Sequence, residues 1–128
     1  MSNHSTIAPA FLDIAELVGA LVDLHRAYRK ADQLKTTDGK TVPVEYVFKD
    51  AVGRDAGLQK TEKGFQVVTD CHGLSAAEAK KQAESVSEIV RRYSHRKIVK
   101  ELQAQGYVIA EEEKRADNTI RLVARKWG

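Results

Sequence analysis

At 128 residues the chain fits a single domain, long enough to bury roughly two thirds of the surface its unfolded form exposes. Its hydrophobic fraction of 42% supplies a core, yet no apolar run nears the roughly 18 residues of a bilayer-spanning helix, which excludes such a segment. The 21 basic and 18 acidic residues give a net charge of +3, too mixed a balance to mark a nucleic-acid binder, and 6% aromatics argue against an open stacking platform for single strands.

The start Met1-Ser2-Asn3-His4 has no charged region leading into an apolar stretch, and a lone cysteine, Cys71, fits a reducing compartment; a cytoplasmic setting is expected. Ser5 to Pro9 reads as a short first strand. From about Leu12 to Arg26, Phe11, Ile14, Leu17, Val18, Leu21, Val22 and Leu24 fall on one side of a helical wheel, with Asp13, Glu16, Asp23 and Arg26 elsewhere, which predicts an amphipathic helix on a sheet. Tyr28 to Lys35 and Thr41 to Phe48 flank Asp38-Gly39, a pair suited to a tight hairpin, and Pro43 implies an edge or a bulge. Lys49 to Ala56 reads as a connection. Leu58 to Thr61 and Phe65 to Thr69 around Glu62-Lys63-Gly64 form a second hairpin.

Ser75-Ala76-Ala77-Glu78 is a capping box that opens a long helix. Its apolar residues are out of phase: Val86, Ile89, Val90 and Tyr93 share one face, whereas Ile98, Val99 and Leu102 lie on nearly the opposite one at about 100° per residue. Either the helix breaks near Ser94-His95, or its first half packs on something else, such as a second subunit. Gly106 ends it, and Tyr107 to Lys114 and Thr119 to Trp127 form a last hairpin.

The two outer hairpins resemble one another. Tyr28 to Phe48 aligns with Tyr107 to Trp127 without a gap: Tyr28, Ala31, Lys35, Asp38 and Val44 meet Tyr107, Ala110, Lys114, Asp117 and Val123, Asp32 meets Glu111, and Phe48 meets Trp127. Each half then reads strand, helix, hairpin, with pseudo-repeats at about 1–50 and 64–128 joined by a connection and strand around 50–63. The fold class expected is α+β: an antiparallel sheet with two main helices on one face, built as a pseudo-duplicated, ferredoxin-like unit.

With these elements placed, the chain resembles a plastid, cyanobacterial and bacterial family known as domain of unknown function 1257. The resemblance rests on Gly57-Leu58-Gln59-Lys60 with Gly64-Phe65-Gln66-Val67-Val68-Thr69-Asp70, on Arg92-Tyr93-Ser94-His95-Arg96-Lys97, and on Gly106-Tyr107-Val108 leading through Glu111-Glu112-Glu113 to Thr119-Ile120-Arg121-Leu122-Val123. Cys71-His72 and His95 depart from the family pattern, which has aromatic residues after the acid and usually Tyr at the later position. The family has no established activity, and its genes often neighbour those of AAA-type ATPases, so the resemblance implies an adaptor or accessory role.

Several residue groups carry chemistry. Cys71, His72 and His95, with Asp70, have the donor types of a zinc site but match no closed-site spacing, so a turn cysteine and a solvated histidine are the simpler reading and no metal or cofactor is assigned. Nucleophilic catalysis by Cys71 with His72 or His95 would need a low-pKa thiolate in a cleft, and the sequence shows neither. Arg91, Arg92, His95, Arg96 and Lys100 form a basic stripe over about half of the helix circumference, either a phosphate-facing surface or a solvated face paired with Glu84, Glu88 and Glu101. Glu111 and Glu113 share one strand face, with Arg121 and Arg125 placed to neutralise them across the hairpin, and Trp127 reads as a packing anchor. No glycine pattern matches a nucleotide loop.

The function expected is a non-enzymatic protein-interaction or adaptor module whose partner is another protein, for instance an AAA-type ATPase, or a second copy of the chain. Its expected surface is Arg91, Arg92, His95, Arg96 and Lys100 with Val86, Ile89 and Tyr93. The alternatives are a basic nucleic-acid-binding accessory protein and, more weakly, a thiol or metal-dependent enzyme.

Overall fold

The computed structural model describes residues 4–11, 13–114 and 120–126. In chain order the elements are β1 (His4–Phe11), α1 (Ile14–Asp23), β2 (Tyr28–Lys30), β3 (Gln33–Lys35), β4 (Thr41–Pro43), β5 (Tyr46–Lys49), β6 (Asp55–Thr61), β7 (Gly64–Asp70), α2 (Ala76–Ala104), β8 (Tyr107–Lys114) and β9 (Ile120–Lys126). Five of the strands form one antiparallel sheet in the order β1-β7-β6-β5-β2. The fold is α+β.

Local chemistry sets the helix ends. Asp13 caps α1 by accepting from the Glu16 amide, and at the other end the amides of His25 and Arg26 reach back to the carbonyls of Val22 and Leu21. That closure needs a left-handed residue, and His25 takes it at φ 57°. In α2 the Ser75 hydroxyl accepts from the Glu78 amide and the Glu78 carboxylate from the Ser75 amide, while Gly106 at φ 89° turns the chain out of the last turn.

The pleat of the sheet divides two cores. Phe48, Ala56, Leu58 and Val67 point to the face that carries both helices, where Leu17 and Leu21 of α1 and Val86 and Ile89 of α2 close over them. On the opposite face Val47 and Val68 meet Leu34 and Val44. Beyond an interruption at Ala31-Asp32 and Val44-Glu45, the β2–β5 hairpin continues as the β3–β4 pair, which folds back over this second face as an arm. Gly57 permits the approach: a Cβ there would lie 2.5 Å from Cγ1 of Val44 and 3.5 Å from Cδ2 of Leu34. Pro43 sits on the exposed outer strand of the arm.

A buried polar cluster joins the layers at one end of the sheet. The Asp70 carboxylate accepts from the Thr37 amide at the tip of the arm (2.8 Å), from the Arg54 guanidinium (3.2 Å) and from the His72 amide (3.2 Å). Gln82 of α2 donates to the Asp70 carbonyl (2.8 Å) and to Asp50 (2.9 Å), whose other oxygen accepts from the amides of Val52 and Arg54. Asp50, Asp70 and Gln82 are each 5% exposed or less, so every one of these bonds replaces lost water.

Three sequence expectations change. The helix 76–104 is continuous and does not break near Ser94; Val86 and Ile89 pack on the sheet, Val99 and Leu102 are half-buried, and Ile98 remains 51% exposed. The span from Lys49 to Ala56 is only a short turn, because β5 runs to Lys49 and β6 starts at Asp55. The last hairpin lies outside the five-stranded sheet, as a separate β8–β9 pair resting on α2. Its outer half pairs Glu112 with Leu122 and Lys114 with Ile120, matching position for position Gln33 with Pro43 and Lys35 with Thr41 in the first hairpin. Asp117, which aligns with Asp38 of the first hairpin, and Trp127 lie outside the described residues.

Gly57→Ala is expected to lower stability by about 1–3 kcal/mol, since Val44 must move. Asp70→Ala should cost about 2 kcal/mol or more, by removing a buried acceptor and leaving the part-buried donors of Thr37, Arg54 and His72 without it. Urea unfolding of each variant measures both, and a Gly57→Ala protein as stable as the parent would show that the arm does not press on the sheet.

Candidate interaction surface

The basic stripe of α2 faces α1. Arg96 lies over Gly19, the one position of α1 where a guanidinium fits against bare backbone, since a Cβ there would come within 2.5 Å of it. From that slot Nε of Arg96 reaches Glu16 (2.9 Å) and Nη1 reaches Asp23 (2.9 Å). Arg92 adds a second contact to Asp23 (2.8 Å), and Lys97 and Lys100 stand 3.5 and 3.3 Å from Asp13. The Asp13 amide also donates to the Tyr93 hydroxyl (3.2 Å).

These ion pairs shift their members. Burial opposes ionisation of Asp23, but hydrogen bonds and charge from Arg92 and Arg96 outweigh it and hold the carboxyl below its ordinary range. Burial likewise opposes ionisation of Asp13, and the Glu16 amide with Lys100 and Lys97 lowers it all the same. Asp23 raises Arg96, against burial and with help from Glu16.

The expected surface therefore divides. Arg92, Arg96 and Lys100 are engaged by acids of the neighbouring helix, while Glu84, Glu88 and Glu101 enter no ion pair among the described residues. Arg91 is exposed. Val86 and Ile89, 2% and 0% exposed, belong to the core beneath both helices and are not surface residues, and Tyr93 is half-buried against that core. The periodicity identified an apolar face correctly; which layer covered it was a tertiary matter. The acids Asp13, Glu16 and Asp23 read in the sequence only as the polar side of the first helix; their pairing with Arg92, Arg96, Lys97 and Lys100 is set by the fold.

Cys71, His72 and His95 do not come together. Cys71 is half-buried and His72 exposed beside the sheet end where Asp70 bonds Gln82, whereas His95 stands thirteen positions beyond Gln82, about 20 Å along a straight helix. Asp70 is committed to Thr37 and Arg54, and no group of three metal-ligating side chains forms among the described residues. The His95 side chain is 9% exposed, with Nε2 3.1 Å from a Glu112 carboxylate oxygen but off the direction of a hydrogen bond, so among the described residues neither ring nitrogen has a well-aligned partner. In the last hairpin Glu113 stands opposite Arg121, and Arg125 opposite Val108. No helix among the described residues is long and apolar enough to cross a membrane.

Because the folded Asp13 and Asp23 carboxyls titrate lower than in the unfolded chain, their contribution is complete above about pH 4 and disappears as pH falls through the folded values. Arg96→Gln should cost about 1–2 kcal/mol at pH 7, with the gap to the parent protein closing as the pH falls below the ordinary carboxylate range of about 4. Denaturant unfolding over that pH range checks it; a gap that stays constant would place the loss in packing.

A family model described as "Protein of unknown function (DUF1257)" matches residues 20–123, from within α1 to within β9. Neither the curated proteins nor the solved structures yield a significant match. The match takes in the first outer hairpin, the second as far as the middle of β9, the buried polar cluster and all of α2, and the chain belongs to the DUF1257 family.

Proposed function

We propose that the protein is a small interaction module that docks on another protein through its second half. The observation that carries this reading is the β8–β9 hairpin: it stands outside the sheet, rests on α2, and among the described residues pairs with no third strand. A two-stranded unit in water is marginal unless something else covers it, and its outer backbone groups are a template for an added strand. Each supporting element also leaves one large aliphatic side chain in solvent, Ile98 at 51% and Val108 at 42%. Exposed apolar residues beside an open strand edge suit a protein partner. An AAA-type ATPase is the partner class that the family resemblance suggests. The matching outer registers of the two hairpins support reading the halves as a duplication in which the first hairpin became part of the sheet and the second was left to bind.

A nucleic-acid role has less support. The cations that would face phosphate are largely paired with Asp13, Glu16 and Asp23, so a duplex would have to displace those carboxylates.

The test is an Ile98→Lys, Val108→Lys double variant. Both positions are exposed, so thermal stability should change little. Light scattering and pull-down with mass spectrometry should show a partner or a second copy retained by the parent protein and released by the variant. A protein that is monomeric and whose captured proteins are the same with and without the two lysines would overturn the reading.

A further inference from the structure

We infer that the groove along the α1–α2 seam is a binding site for a small oxyanion, the phosphate or carboxylate group of a soluble ligand. The groove has a volume of about 420 Å³, within the range of small-molecule sites, and is lined by Glu16, Arg92, His95, Arg96, Val99 and Lys100, with Gln103 at its end. Among the described residues its walls thus carry three cations, Arg92, Arg96 and Lys100, against the one carboxylate of Glu16. Asp13, Asp23 and Glu112, which touch those cations or His95 from outside, are not part of the lining.

The donors left over converge on this space. Arg92 uses Nε for Asp23, and among the described residues its two terminal nitrogens, a fork suited to two oxygens of one anion, have no partner. Arg96 uses Nε and Nη1 and keeps Nη2. His95 lines the same groove with its side chain nine-tenths buried and neither nitrogen in a well-aligned hydrogen bond. A buried imidazole whose close neighbour Glu112 is poorly aligned with it costs stability, and an oxyanion accepting from it and from Arg92 would reduce that cost. Arg92, His95 and Val99 stand at successive spacings of three and four on α2, so one helical face presents cation, imidazole and apolar floor in line. The groove is concave, and the carboxylate of Glu16 in its wall repels a continuous phosphate backbone more than a ligand that can place one anionic group on the α2 side; this favours a small ligand over nucleic acid.

The experiment uses the intact chain. Pyrophosphate, inorganic phosphate and citrate are each titrated at low salt while the side-chain resonances of His95 and the arginines are followed by NMR, with calorimetry alongside. Saturable shifts at His95 and Arg92 are expected, with affinity about tenfold weaker in Arg92→Gln and unchanged in Lys81→Gln, an exposed cation near the start of the same helix. Preference for pyrophosphate or for citrate identifies the source of the oxyanion, and either preference sustains the site. Shifts spread evenly over all lysines and arginines, an equal loss in Lys81→Gln, or no saturation by about 10 mM would overturn it. The titration of the parent protein decides the matter even where Arg92→Gln fails to fold.

Discussion

The architecture depends on a cluster of buried polar groups at one end of the sheet. An apolar sheet with a helical layer on one face and a folded arm on the other has no intrinsic means of fixing how the two outer layers sit relative to each other, because hydrophobic contact is non-directional. Asp70 and Gln82 supply the direction. The carboxylate faces the arm and the Arg54 turn while the carbonyl of the same residue faces α2, so one position on β7 sets both layers. Each carboxylate oxygen and the Gln82 amide has a partner, and a cluster satisfied in this way specifies one arrangement where an apolar contact would accept several.

From that end α2 runs along the sheet, and the seam with α1 continues the same principle by charge. Asp13, Glu16 and Asp23 meet Arg92, Arg96, Lys97 and Lys100 along the line where the helices cross the sheet together. The fully buried residues of α2, Val86 and Ile89, lie in its first half; beyond them one side of the helix meets α1 through the ion pairs and another side supports the last hairpin. The division between a half that builds the sheet and a half that stands beside it gives the interaction reading its physical basis, since an element that contributes little to the core is retained at a stability cost unless it meets something else.

Much of the fold was legible because it is encoded in short range. The Ser75 capping box, the Glu62-Lys63 hairpin and the heptad-like spacing of Leu17, Leu21, Val86 and Ile89 are each settled by a few neighbouring residues. What stayed hidden depends on which layer an element meets. Leu34, Val42 and Val44 alternate as a strand should, but alternation does not say that the arm folds onto the second face, and only Gly57, a residue without a side chain, records the contact. The out-of-phase stripe Ile98, Val99 and Leu102 suggests a break only if both stripes need burial; the helix continues through Ser94 and leaves Ile98 in solvent. Of the candidate site, the basic stripe was visible as a stripe. Its acids were not, because their partners lie some seventy to ninety positions away in the chain, beyond the reach of any helical spacing rule.

The slot at Gly19 has an evolutionary consequence. Glycine inside a helix costs about 1 kcal/mol relative to alanine, so drift alone would favour replacing it. With Arg96 in place that replacement drives a methyl group into the guanidinium and disturbs two carboxylates at once, whereas after loss of Arg96 the same change is open. The two positions are therefore coupled: while Arg96 is present its flexible end must leave the slot before alanine can enter, so the gain in helix propensity is offset by loosened ion pairs and is realised in full only after Arg96 is lost.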